Sequence, residues 1–101
     1  MTKTNISEDK LKFINLHKSY FSELKNTLCD ISDTKVHIYE SSSVNPDPAS
    51  VQIEISDSSY FIYYWDGYSL AEKVATDSYS KALIQFKKFA KKLAKNLKRY
   101  S

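Results

Sequence analysis

One dipeptide, Asp66-Gly67, restricts what this chain can fold into more than any other feature, because Gly67 is its only glycine. Asp-Gly between two alternating stretches predicts a two-residue type I′ hairpin turn, in which both central residues need a positive φ. A turn of this kind sets the cross-strand register of the hairpin. The predicted pairs are Trp65 with Tyr68, Tyr63 with Leu70, and Phe61 with Glu72.

The alternation of apolar and polar residues that is typical of strands extends over most of the middle of the chain. The predicted strands cover residues 35–40, 51–55, 60–65 and 68–75. A tight turn at Asp57-Ser58 joins the second strand to the third and places Ile55 opposite Tyr60 and Ile53 opposite Ile62. The prolines within 41–50 exclude a helix or a central strand there, so this segment is predicted to be a flexible loop.

Two amphipathic helices flank the strands, because apolar residues recur there at steps of three and four. The first is predicted over residues 7–29, with Ser7 as its N-cap. The second begins after Asp77 or Ser78 and runs toward the end of the chain. The apolar stripes are Phe13, Ile14, His17, Phe21, Leu24 and Leu28 in the first helix, and Tyr79, Leu83, Phe86, Ala90, Leu93 and Leu97 in the second.

These elements predict an α+β fold in the order α-β-β-β-β-α, with an antiparallel meander of three to four strands and both helices on one face. A chain of 101 residues is expected to form a single globular domain over 1–101. The helices are expected to meet through Phe21, Leu24 and Leu28 against Phe86, Ala90 and Leu93. We predict no signal peptide and no membrane span, and the lone Cys29 favours the cytoplasm.

The predicted register divides the sheet into a core face and an open face. The core face collects Val51, Ile53, Ile55, Tyr60, Ile62, Tyr64, Ala71 and Ala75. The open face carries an aromatic contact face of Phe61, Tyr63, Trp65 and Tyr68, beside Gln52, Glu54, Leu70 and Val74. Two helices cover only one face, so this aromatic face is expected to be partly exposed and to bind a partner or a second copy, with Trp65 the most exposed. The alternatives are that the 41–50 loop covers it or that the two faces are reversed.

The charges of the chain are divided unevenly along its length. Residues 1–77 contain seven basic and twelve acidic residues, whereas 78–101 contain eight basic residues and no acid. A helix of this composition indicates a polyanionic or acidic partner, or a membrane surface. The candidate binding residues are Lys87, Lys88, Lys91, Lys92, Lys95, Lys98 and Arg99.

Binding of nucleic acid, or of a nucleoprotein machine, is the leading functional hypothesis. A row of lysines neutralises phosphates and releases counterions. With a single arginine, bidentate recognition of base edges is poor, so the predicted mode tolerates any sequence and offers aromatic residues for stacking on unpaired bases. The alternative is a protein inhibitor or adaptor that engages its target through the aromatic face. A solubilising helix surface and neutralisation by acids elsewhere in the chain also remain open.

No motif for catalysis or for a cofactor is present in the sequence. His17, Cys29 and His37 are the only soft metal ligands, and they share no ligand spacing, so a core histidine and a buried thiol are expected. A chain with one glycine cannot form a glycine-rich phosphate loop. We therefore predict a protein that is not an enzyme and that uses no cofactor and no metal.

The stretch Lys87-Lys88-Phe89-Ala90-Lys91 resembles the lysine-rich start of the last helix in double-stranded-RNA-binding domains. Here it lies about nine residues into the predicted helix, no glycine-containing loop precedes it, and the extra strand departs from that family's pattern. In size and composition the chain also resembles accessory proteins of phages and mobile elements, including inhibitors of host defence such as anti-CRISPR proteins. That second resemblance implies a binding function and rests on no motif.

Overall fold

The structure of the protein is a computed structural model, and it describes residues 5–24, 27–41, 48–67 and 71–99. Most of the predicted 41–50 loop lies outside these residues. The elements in chain order are α1 (Asn5–Glu8), α2 (Lys10–Tyr20), β1 (Thr27–Ile31), β2 (Lys35–Glu40), β3 (Ser50–Ser56), β4 (Ser59–Trp65), β5 (Ala71–Thr76) and α3 (Tyr79–Arg99).

All five strands form one antiparallel sheet in the order β1-β2-β3-β4-β5, so each strand pairs with its neighbour in sequence. The predicted α+β class is confirmed, with helices at both ends of an antiparallel meander. The sheet has an additional edge strand, β1, in a segment that was predicted to be helical.

The predicted helix over 7–29 was too long, because α2 ends at Tyr20 and residues 27–31 form β1. Thr27, Cys29 and Ile31 alternate toward the core, and Thr27 and Ile31 are β-branched, which favours a strand. Leu28 points the other way and is 47% exposed. Its predicted contact with the C-terminal helix was therefore wrong.

The two-residue hairpin turn of this sheet lies at Asp57-Ser58, where φ is 51° and 67°. Ser56 pairs with Ser59 across this turn, and the predicted pairs Ile55–Tyr60 and Ile53–Ile62 are confirmed. Positive φ at both central residues is the type I′ geometry, which matches the right-handed twist of the flanking strands.

The connection that contains Asp66-Gly67 is longer than predicted, because Trp65 pairs with Ala71 and not with Tyr68. Gly67 does adopt a positive φ of 89°, but its role is a close approach to another part of the backbone. A Cβ at this position would lie 3.3 Å from the backbone nitrogen of Ala49. Tyr68 and Leu70 lie outside the described residues.

The changed register reverses the two faces of β5. Phe61 pairs with Ala75, which puts Ala71 and Ala75 on the open face and not on the core face as predicted. Val74 pairs with Ile62 and packs against the core, although it was predicted to lie on the open face. Glu72 consequently points to the side of the sheet where α3 lies.

The core fills the space between the helices and one face of the sheet, which we call the inner face. Phe86 of α3 is fully buried and meets Phe13 of α2 edge to face, with ring centroids 5.5 Å apart. Phe89, Ala90 and Leu93 continue the buried seam of α3. The sheet contributes the buried residues Val36, Ile38, Val51, Ile53, Tyr60, Ile62 and Tyr64.

The beginning of α3 is held by side-chain hydrogen bonds. The Ser78 hydroxyl accepts the Lys81 amide N–H at 3.3 Å, which makes Ser78 the N-cap, one of the two residues predicted for this position. The Tyr79 hydroxyl donates to the Asp9 carboxylate at 2.7 Å and so ties α3 to the junction of α1 and α2. Burial, followed by this hydrogen bond, raises the pKa of Tyr79.

We expect Phe86→Ala to lower the free energy of unfolding by about 3–5 kcal/mol, because it removes a fully buried ring and leaves a cavity. Ile84→Ala is the matched control on the same helix, since Ile84 is 56% exposed, and it should change the stability by less than about 0.5 kcal/mol. Urea unfolding followed by circular dichroism measures both. Equal losses for the two variants would show that another face of α3 packs on the sheet.

Candidate nucleic-acid interface

The buried seam of α3 determines the directions in which the lysines of this helix project. Because Phe86, Ala90 and Leu93 are buried against the sheet, the lysines occupy the rest of the helix circumference. One row faces α2, and a second group faces solvent or β5. The row toward α2 consists of Lys87, Lys91, Lys95 and Lys98, whereas Lys88 is exposed and Lys92 reaches β5.

A continuous groove runs between α2 and α3, formed by two hollows that share Ser19 and Tyr20. The hollows have volumes of about 440 and 360 Å³. We call this feature the basic groove, because the described residues of its lining include five lysines and no acidic residue. Its lining residues are Lys12, Phe13, Asn15, Leu16, Ser19, Tyr20, Leu83, Lys87, Lys91, Ala94, Lys95 and Lys98.

Tyr20 supplies an aromatic ring inside the basic groove. The ammonium of Lys91 lies 5.7 Å from the centre of this ring, within the range of a cation–π contact. Tyr20 is half-buried, so part of its ring remains accessible from the groove. The groove therefore combines a positively charged wall with an aromatic surface.

Acids from the rest of the chain neutralise only some of the lysines on α3. Lys92 pairs with Glu72, a hydrogen bond that raises the pKa of Lys92, and its ammonium also lies 5.1 Å from the Tyr64 ring centre. Lys98 pairs with Glu23 at 3.4 Å.

Four of the candidate lysines on α3 are available to a partner. Within the described part of the chain, Lys87, Lys88, Lys91 and Lys95 have no ion-pair partner. The side chain of Arg99 lies outside what the structure describes. Intramolecular neutralisation, one of the alternatives from the sequence, is therefore partial.

The predicted aromatic contact face lies on the other side of the sheet, which we call the outer face. Phe61, Tyr63 and Trp65 share this face and are each partly exposed, whereas Tyr68 is outside the described residues. The ammonium of Lys73 lies over the rings of Phe61 and Tyr63, at 5.3 and 5.6 Å from their centres. The rank of Trp65 as the most exposed aromatic stays a prediction.

Two more rings extend the outer face toward the β1 edge. His37 and Tyr39 stack with their ring centroids 4.8 Å apart. A shallow hollow of about 440 Å³ lies between these rings and Trp65, and Pro48 and Ser50 complete its lining. A hydrogen bond to Asp30 raises the pKa of Tyr39, and burial lowers the pKa of His37.

The basic groove and the outer face point in opposite directions, because α2 and α3 pack on the inner face. A nucleic-acid strand in the groove cannot also lie on Tyr63 and Trp65 without passing around an edge of the sheet. The sequence hypothesis joined the lysines and these aromatic residues in one site, and the structure places them on separate surfaces. Tyr20 takes the aromatic position inside the groove.

The residues of the groove contributed by α2 were not predicted. Lys12, Ser19 and Tyr20 lie outside the apolar stripe of the N-terminal helix, and nothing in their spacing distinguishes them from a solvated helix surface. Only the packing of α2 beside α3 brings them next to Lys87 and Lys91. The acid-free composition of α3 was the one available signal for this site.

The candidate metal ligands do not come together. The Nε2 atom of His17 is hydrogen-bonded to the Thr27 hydroxyl at 3.0 Å, and burial lowers the pKa of His17. In the segments that the structure describes, no three His, Cys, Asp or Glu side chains are close enough to hold a metal ion. The helices of these segments include none with the length and apolar character needed to cross a membrane.

Comparison with known protein families, with curated protein sequences and with solved structures finds no match to this chain. The geometry and charge of the two surfaces are therefore the observations that bear on function.

Cys29 illustrates how burial controls reactivity in this fold. It lies on the inner side of β1, and burial, followed by the nearby Asp30 carboxylate, raises its pKa to about 11. Because the thiolate is the nucleophile, we expect iodoacetamide to alkylate Cys29 at pH 7.5 about a hundredfold more slowly than an exposed cysteine. The same chain in guanidinium chloride is the control and should react at the ordinary rate. Rapid alkylation of the folded protein would show that the thiol of Cys29 is not shielded from solvent in the folded state.

Proposed function

We propose that this protein binds nucleic acid, alone or within a nucleoprotein complex, and that the basic groove with the adjoining surface of α3 holds the phosphate backbone. The observation that supports this proposal is the concentration of unneutralised charge on one helix. Lys87, Lys88, Lys91 and Lys95 extend over about two turns without an intervening acid. A surface of this kind attracts a polyanion and gains affinity by releasing counterions.

The chemistry of these side chains predicts a mode of binding that tolerates any nucleotide sequence. A lysine ammonium acts as a point charge, and it lacks the planar fork with which arginine reads guanine. The lysines therefore position a phosphate backbone and carry little information about bases. Tyr20 offers one ring on which an unpaired base stacks, which would favour single-stranded over duplex ligands.

The proposed setting is the cytoplasm, where nucleic acids are accessible and Cys29 stays a thiol. The groove lining contains no pair of acid and base groups arranged for a reaction. The proposal is accordingly a binding function without catalysis.

The salt dependence of binding tests the proposal quantitatively. If the four unneutralised lysines each contact a phosphate, the logarithm of the association constant should fall against the logarithm of the salt concentration with a slope of about −3.6 for duplex DNA. The affinity then drops roughly a hundredfold between 50 and 200 mM salt. Fluorescence anisotropy with a labelled DNA duplex of random sequence measures this slope, and absence of binding at 50 mM salt to both the duplex and its separate strands would refute the proposal.

Charge reversal at two positions of the groove should separate a local site from a general effect of net charge. We expect Lys91→Glu with Lys95→Glu to weaken binding at 50 mM salt by at least about thirtyfold and to roughly halve the salt slope. The matched control is Lys35→Glu with Lys73→Glu, which makes the same change in net charge on the outer face. Equal losses in the two double variants would show that no particular surface binds the ligand.

A second candidate function is a protein inhibitor or adaptor that uses the outer face. The observation that favours it is the position of Phe61, Tyr63 and Trp65, which lie together and partly exposed on the side of the sheet away from the lysines of α3. Such a protein needs the aromatic rings as anchors and does not need the basic groove.

A further inference from the structure

We propose that the outer face of the sheet is a self-association surface, on which a second copy of this chain packs face to face in a two-fold symmetric dimer. The face has the apolar content for it, because Leu28 is 47% exposed and the rings of Tyr39, Phe61, Tyr63 and Trp65 are partly exposed. Exposed apolar patches of this extent mark interaction surfaces, and sheets are normally covered on such a face.

The charges of the outer face favour a second copy over a polyanion. The described strand residues of this face include two bases, Lys35 and Lys73, and two acids, Asp30 and Glu54. A net charge of zero provides no attraction for nucleic acid. A surface that must fit its own copy, in contrast, needs both signs in equal number.

The positions of these charges are complementary under a two-fold rotation. The strand pairings place five outer-face residues side by side in one row across the sheet. The row begins with an acidic residue on edge strand β1 and ends with a basic residue on edge strand β5. This row consists of Asp30, His37, Gln52, Tyr63 and Lys73. A two-fold axis that runs parallel to the strands and passes over β3 reverses the order of the row. Asp30 then faces Lys73 of the second copy, and this ion pair occurs twice in the dimer.

The same two-fold rotation places residues of the two neighbouring rows over residues of the second copy. Tyr39 and Trp65 belong to one row, at positions equally far from Ser50, so the axis brings Tyr39 of each copy over Trp65 of the other. Lys35 in the same way comes over the ring of Phe61 of the second copy. Glu54 lies at the axis, so it faces Glu54 of the second copy and the two carboxylates repel each other. Lys35, the cross-strand neighbour of Glu54, offsets this repulsion.

The size of the face predicts the strength of the dimer. Five strands about 4.8 Å apart, each about 20 Å long, present about 500 Å² per copy, so that a dimer buries roughly 1,000 Å² in total. That area is at the lower limit for a specific interface. A weak dimer with a dissociation constant in the micromolar range is therefore expected.

A dimer of this form has a consequence for the basic grooves. With two sheets in the middle, the two α3 helices lie on opposite outer sides, about 30 Å apart. Each dimer then presents two basic grooves that face away from each other, and it is able to hold two nucleic-acid segments. This consequence rests on the proposed function, whereas the dimer itself does not.

A charge-swap experiment tests the dimer without any nucleic acid. Sedimentation velocity from about 1 µM to 1 mM protein should show a monomer–dimer equilibrium in the wild-type chain. We expect Asp30→Lys and Lys73→Asp each to weaken the dimer by about tenfold or more, because each places like charges together twice. The variant that carries both changes restores two opposite pairs and should return to within about threefold of the wild-type affinity.

Lys18→Asp on the exposed surface of α2 is the control for net charge and should leave the dissociation constant unchanged. Thermal unfolding of every variant verifies that it is folded at the temperature of the measurement. A wild-type chain that stays monomeric up to about 1 mM overturns the proposal and leaves the outer face to a different protein. A double variant as weak as the single ones, or a Lys18 variant as weak as the Asp30 variant, overturns it as well.

Discussion

The burial of one apolar seam on α3 determines most of what the molecule presents to its surroundings. Phe86, Ala90 and Leu93 are fully buried against the inner face of the sheet. Because this seam is occupied, the lysines of the same helix must project away from the core. Because α2 packs beside α3 on the same face, the outer face of the sheet receives no helix from the described part of the chain. One packing interaction thus produces both a basic surface and an aromatic surface, on opposite sides.

The separation of these two surfaces changes the functional interpretation. Phe61, Tyr63 and Trp65 of β4 lie on the opposite side of the sheet from the lysines of α3, and Tyr20 is the ring that lies beside these lysines. The electrostatics differ as well, since the described residues that line the basic groove include no acid and the described strand residues of the outer face include equal numbers of acids and bases. These charges are the basis of our proposals of a polyanionic ligand for the groove and a partner of mixed charge for the outer face.

The sequence was sufficient for the α+β class and for α3, because a long stripe with uniform spacing has only one interpretation. It failed for residues 27–31, where Leu24 and Leu28 continue the helical spacing while Thr27, Cys29 and Ile31 alternate as in a strand. In such a short ambiguous stretch, pairing with β2 outweighs the local pattern.

The predicted register of β5 was also wrong, and the reason lies in the chemistry of the turns. Asp66-Gly67 has the composition of a two-residue turn, yet the two-residue turn forms at Asp57-Ser58, where two non-glycine residues tolerate a positive φ. Gly67 is needed instead for its approach to Ala49, a contact between segments that local composition cannot reveal. The basic groove likewise depends on how α2 lies beside α3, which no pattern within either helix specifies.

Nucleic acid, in the function that we propose, contacts the groove between α2 and α3 and leaves the outer face of the sheet untouched. Nuclear magnetic resonance of the ¹⁵N-labelled protein, titrated with a short oligonucleotide at low salt, tests this claim residue by residue. We expect shifts for the amides of Tyr20, Lys91 and Lys95, and an unchanged indole N–H signal for Trp65. Shifts concentrated on Trp65 and Tyr63, with the amides of α3 unchanged, would contradict it.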